Sequence, residues 1–221
     1  MMMSYTYFSE PLEIKFPIQC MVIENKAVLR NTILSLEHGN ENDLFVLSEN
    51  YVPLSFKKAA YFMMDTVGSF QADKKAATRL EEELTASAHN NFPEQVFAVQ
   101  KALTELAEKL SFDFEFDLSF NDEKDTASII KFLSFKPRTE GDTHIEHLAS
   151  FMIFLNKYIG YHVFFTIGLF LLYDIEEISE LEEILTAHQI NIVDIEPTVP
   201  DIEAKKLAIL DKDLCQVVDN Y

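Results

Sequence analysis

Asp117, Asn121, Asp122, Glu123 and Asp125 fall within nine residues, where a stretch of alternating apolar and polar residues gives way to a helical pattern. Hard oxygen ligands gathered at a turn are what Ca²⁺ takes, so Asp117, Asp122, Glu123 and Asp125 are candidate calcium ligands. The spacing is not that of an EF-hand, and the glycine of that loop is missing. The competing reading is helix capping by Asp122 and Asp125, because a carboxylate is stabilised at a positive helix N-terminus. On spacing alone, capping is the stronger of the two.

Other chemistry has less support. The histidines are His38, His89, His144, His147, His162 and His188, and only His144 and His147 share a helical spacing of three. No cysteine joins them, so solvated or capping roles outweigh a metal site. There is no CxxC, HExxH or GxSxG pattern. Five glycines build neither GxGxxG nor GxxxxGK[ST], so phosphate-cradling loops are absent. Cys20 and Cys215 each sit in an apolar, strand-like stretch and read as reduced core residues of a cytoplasmic protein. The acidic runs Glu81–Glu83 and Glu176–Glu183 read as solvated helix faces.

The cations are few and grouped. Of 221 residues, 37 are Asp or Glu and 18 are Lys or Arg, a formal net charge of −19. That balance excludes a protein that coats nucleic acid over its whole surface. Lys57 and Lys58, then Lys74, Lys75 and Arg79, then Lys131, Lys136 and Arg138 form three small groups in or beside the helical middle of the chain. Ordinary surface lysines would look the same. The functional reading is a basic lining segregated within an acidic particle, and one chain has too few cations to hold DNA unless an oligomer repeats them.

The elements that must position these residues are α/β at both ends and helical between. Leu12–Phe16 and Ile18–Glu24 read as strands, and Asn25 opens a helix with Val28, Leu29, Thr32, Ile33 and Leu36 on one face. Leu44–Leu47 reads as a strand. Ser55 is the expected cap of a helix over Phe56–Val67. Asp73–His89 and Pro93–Leu110 form two amphipathic helices of an expected hairpin. Period-two alternation of Phe112, Phe114, Phe116, Leu118 and Phe120 with polar residues predicts an extended segment. Helices follow at Lys124–Phe135, stopped by Pro137, and at Thr143–Ile159. Then come strand Tyr161–Ile167, helix Ile175–His188, strand Ile190–Ile195 and the short runs Leu207–Leu210 and Leu214–Val218. A strand-helix-strand of this length predicts a parallel pair. The fold class is therefore α/β, a discontinuous α/β head (1–60 and 140–221) with a helical leg insert (61–139). The start lacks a signal-peptide pattern, and the apolar window Tyr158–Tyr173 is too short to span a membrane.

Seven stretches in one order resemble a known family: Phe8–Ile14 (FSEPLEI), Met21–Leu36 (MVIENKAVLRNTILSL), Asp65–Gly68 (DTVG), Phe116–Leu118 (FDL), Ile129–Phe132 (IIKF), Ile195–Pro197 (IEP) and Leu210–Asp213 (LDKD). The family is the small spacer-acquisition protein of type II-A CRISPR systems, the Csn-two family, and the resemblance covers nearly the whole chain. It implies a homotetrameric ring of α/β heads and helical legs, with a P-loop-like head sheet that lacks the phosphate loop. It implies a basic hole that encloses double-stranded DNA, entered at free ends and without sequence preference. It implies calcium held by acidic residues near the head–leg junction, no enzymatic activity, and the CRISPR integrase proteins and RNA-guided nuclease as partners. Here Asp117-Leu118 is followed by Ser119-Phe120-Asn121 before Asp122-Glu123, a thinner acidic turn than the family's. The family supplies no tight DNA motif, so charge alone assigns Lys131, Lys136 and Arg138 to the duplex, with Lys74, Lys75 and Arg79 next. The alternative is an acidic protein–protein adaptor without DNA contact. An α/β enzyme using a carboxylate pair ranks third.

Overall fold

A computed structural model describes residues 1–15, 17–68, 74–113, 115–116, 118–120, 125–136, 141–200 and 206–217, without the side chains of Lys75, Lys206 and Leu207. In chain order the elements are β1 (Met2–Tyr5), β2 (Leu12–Glu13), β3 (Ile18–Ile23), α1 (Lys26–Glu37), β4 (Phe45–Glu49), β5 (Val52–Leu54), α2 (Phe56–Ala59) and β6 (Ala60–Phe62). Three helices follow, α3 (Lys74–Asn91), α4 (Pro93–Phe112) and α5 (Thr126–Leu133). Then come α6 (His144–Ile159), β7 (Val163–Ile167), α7 (Leu169–Leu172), α8 (Ile175–His188), β8 (Asn191–Glu196), β9 (Lys206–Leu210) and β10 (Gln216–Val217). Packing divides the chain into two compact units, Met1–Phe70 with Arg138–Tyr221, and Gln71–Pro137.

The first unit is built on a six-stranded sheet of order β10-β9-β3-β8-β7-β6. Its strands β9, β3, β8, β7 and β6 run parallel, and β10 closes the edge antiparallel. A parallel sheet is covered on both faces, which is why β3, Ile-Gln-Cys-Met-Val-Ile, buries all six residues rather than alternating. On one face Met21, Ile23, Phe165, Val193 and Ile195 pack with α1 and with a four-stranded antiparallel sheet of order β2-β1-β4-β5. There Tyr5 stacks on Phe45 at 4.7 Å, Phe45 meets Phe165 at 4.9 Å, and the Tyr5 hydroxyl bonds Thr32 at 2.5 Å. Burial pushes that phenol up to about 12. Each fully buried side chain of this size contributes roughly 1.5–3 kcal/mol. Alternation along β8 turns Ile192, Asp194 and Glu196 to the other face. Ile192 is fully buried, and the elements left to cover it are α6, α7 and α8, whose Leu148, Met152, Leu169, Leu181 and Leu185 are buried outside the first cluster.

Local chemistry sets the helix ends. The Asn25 carboxamide caps α1 by accepting the Ala27 and Val28 amides. Capping boxes start α6 (Thr143 with Glu146) and α8 (Asp174 with Glu177). Pro93 occupies the first turn of α4.

Several expectations need correction. The helix over Phe56–Val67 is a four-residue turn, because Ala60–Phe62 instead pairs with Val163–Phe165 as the edge strand of the sheet. Ser55 stands at its start without a side-chain cap bond. The first strand is shorter than Leu12–Phe16, and β1 precedes it. α5 ends before Pro137, at Ser134, whose left-handed backbone (φ +52°) closes the helix. Of the extended segment expected over Phe112–Phe120, Phe112 belongs instead to the end of α4, and Phe114 and Asp117 lie outside the described residues. Phe112 and Phe116 are 90% and 75% exposed. Cys20 is buried as expected, but Cys215 is exposed in the turn before β10, where its amide donates to Asp211.

Candidate nucleic-acid interface

The second unit carries Lys74, Lys75, Arg79, Lys131 and Lys136, whereas Arg138, Lys57 and Lys58 belong to the first. α3 packs on both α4 and α5. Ala76 is buried and Leu80 and Leu84 are half-buried on α3, whereas α4 buries none of its residues fully and leaves Phe97, Leu106 and Leu110 exposed. Thr78, Glu81, Glu82, Thr85 and His89 of α3 line an open groove of about 470 Å³ with Ser128 and Lys131 of α5. The structure therefore brings Lys131 beside two glutamates and not into a purely basic surface.

Lys74 lies in the first turn of α3, Lys131 in the last turn of α5, and Lys136 just beyond it, all exposed. Among the described residues, none of the three has a carboxylate within ion-pair distance. Arg79 is different: its guanidinium bonds Glu82 at 2.9 Å and Glu83 at 3.1 Å, one turn along the same helix. The Glu82 hydrogen bond, then the Glu83 charge, hold its pKa above the ordinary value. The Lys75 side chain and Arg138 lie outside the described residues.

Asp117, Asp122 and Glu123 also lie outside the described residues. Asp125 is the N-cap of α5, with Oδ1 accepting the Ser128 amide at 2.6 Å. Bonds from the Ser128 side chain and amide hold its carboxyl below the usual range, so it is anionic at neutral pH. Capping is thus what Asp125 does here. The donor set of four carboxylates, with no nitrogen or sulfur, has the chemistry that Ca²⁺ accepts. Among the described residues no group of three His, Cys, Asp or Glu converges as a metal site. His144 is engaged otherwise: its Nε2 lies 3.1 Å from the Thr66 carbonyl, which also accepts the Tyr173 hydroxyl at 2.6 Å, and the two rings stack.

The first unit holds two further polar features. The N-terminus of α1 directly follows parallel strand β3, and a helix N-terminus can hold an anion where its amides are free. Here the chain's own Asn25 takes those amides, and its Nδ2 donates to the Lys212 carbonyl at 3.0 Å. The second feature escaped the sequence reading. Asp194 and Glu196, fully and 97% buried, lie on β8 with carboxyls in mutual hydrogen-bonding reach. Burial raises the pKa of both; Glu196, with the Asp194 charge adding to burial, is pushed up to about 8. Two carboxylates spaced by two in an otherwise apolar strand were the available signal.

Comparison with known proteins places this α/β unit and its helical companion. The family described as CRISPR-associated protein (Cas_Csn2) matches residues 37–214. The chain belongs to that family, the one its sequence motifs resemble, and so to the type II-A CRISPR-associated proteins, with a role in spacer acquisition. A solved structure titled "Putative ABC transporter (ATP-binding protein) from Pyrococcus furiosus" is similar at 8% identity and TM-score 0.38, over 94% of this chain and 98% of that one. Comparison with curated proteins gives no match. Among the described residues no helix is long and apolar enough to cross a membrane.

Proposed function

We propose that the chain is a non-catalytic subunit of a homotetrameric ring that binds free ends of double-stranded DNA and assists acquisition of new CRISPR spacers. Family membership carries this reading. Three further features support it. Lys74, Lys131 and Lys136 are exposed in the helical unit of a chain of net charge −19. The apolar face of α4 is uncovered in the single chain. The first amides of α1, which an anion would need, are taken by Asn25. Lys131, Lys136 and Arg138 line the duplex, seconded by Lys74 and Lys75, and Arg79 contributes only by exchanging its glutamates. Contacts are to the DNA backbone, so affinity does not follow sequence. Asp117, Asp122, Glu123 and Asp125 hold calcium, which offsets the repulsion of crowded carboxylates at that turn. The CRISPR integrase proteins and the RNA-guided nuclease are its working partners in the cytoplasm.

A second reading, an acidic protein–protein adaptor, is favoured by the net charge and by the pairing of Arg79. Gel shift on linear and closed-circular duplex, with and without calcium, separates the two. The ring binds linear DNA only, in a salt-sensitive way, and an adaptor binds neither.

A further inference from the structure

We propose that Asp194 and Glu196 share one proton and act as a proton-linked latch on α7, holding the Leu171–Leu172 turn in place until that proton is lost. Asp194 accepts the Leu169 amide at 3.1 Å and 3.0 Å through its two oxygens and the Thr166 hydroxyl at 2.7 Å. Glu196 accepts the Phe170 amide at 3.1 Å. These are the first two amides of α7. They face β8 because Gly168, at φ +70°, turns the chain sharply out of β7, in a conformation that a side chain disfavours. The turn so held carries Leu171 and Leu172, 77% and 52% exposed, to the surface.

Two carboxyls in contact and out of water cannot both ionise without a cation. Among the described residues neither forms an ion pair. Thr166 on β7 and Cys20 on β3 stand opposite Asp194, and the covering elements carry the titratable Tyr173 after α7, His144 and His147 on α6, and Glu177 on α8. None of these supplies a charge to either carboxyl. The Lys206 side chain on β9 lies outside the described residues.

The closed turn therefore keeps a proton that an opened, hydrated pair gives up above the ordinary carboxylate range. Opening releases one proton, so the opening constant rises about tenfold per pH unit up to the folded-state value near 8. Hydrogen exchange at the Leu169 and Phe170 amides from pH 6 to 8, corrected for base catalysis, reads this directly. Protection falls about tenfold per unit in the wild type and stays level in Glu196→Gln, which keeps the hydrogen bonds without the charge. Difference infrared between the two proteins at pH 7 shows a protonated-carboxyl band in the wild type only. Level protection in the wild type, an equal slope in Glu196→Gln, or no such band overturns the latch. If Glu196→Gln fails to fold, the wild-type profile decides alone.

Discussion

Arg79 and Glu82 are joined on one face of α3 at 2.9 Å, and Glu83 completes a fork around the same guanidinium at 3.1 Å. A phosphate must compete with two carboxylates for this arginine. Glu82→Gln with Glu83→Gln therefore strengthens binding to linear duplex and steepens the salt dependence, by about 0.9 in the log–log slope for each phosphate gained. Titration by fluorescence anisotropy at several salt concentrations reads both. Weaker binding in the double variant would show that the fork positions Arg79 for DNA.

Lys131 and Lys136 have no such partners among the described residues. Lys131→Glu with Lys136→Glu abolishes gel shift of linear duplex and leaves the oligomer intact by light scattering. Charge reversal both removes a phosphate contact and adds repulsion, so the loss is uniform across DNA sequences. Binding that survives this change and reversal of Lys74, Lys75 and Arg79 as well would move the lining elsewhere.

Calcium is tested at the residues beside the α5 cap. Asp122→Ala with Glu123→Ala lowers bound calcium, loosens the tetramer and weakens DNA binding, as chelation does to the wild type. Unchanged metal content, size and binding would leave the turn as a helix cap only, the role in which Asp125 is seen.

Glu146 and Glu196 give opposite pH dependences. The Thr143 and Asp142 amides hold the Glu146 carboxyl below its usual range. Its folded pKa lies below the unfolded value of about 4.3, so its stabilisation is present above that pH and lost as pH falls through the folded value. Glu196 lies on the other side: its folded value near 8 means that stability declines as pH rises from about 4.3 toward 8. Urea midpoints from pH 3 to 8 should show Glu146→Gln flattening only the acid limb and Glu196→Gln only the neutral one.

The legible parts of the fold were those written in local chemistry. The α8 helix spans Ile175–His188 as its amphipathic spacing foretold, and the β7–β8 pair is parallel. The failures were tertiary. Ala60–Phe62 has no strand signal of its own and becomes β6 only because Val163–Phe165 offers an open edge. Phe112 opens a period-two pattern but is taken up by the last turn of α4. Cys215 sits in an apolar run that meets solvent at the sheet edge. At the site, the lysine groups were legible as charge, whereas the fork on Arg79 depended on rotamers one turn apart. The Asp194–Glu196 pair was hidden because carboxylates in a strand read as solvated unless both faces are known to be covered.

The most direct test of the ring reading compares one DNA molecule as a linear duplex, as the same duplex with bulky blocks on both ends, and as a closed circle. Salt-sensitive binding to the open linear form and none to the other two is expected. Equal binding to circle and linear duplex, or none to any form at low salt, would contradict it.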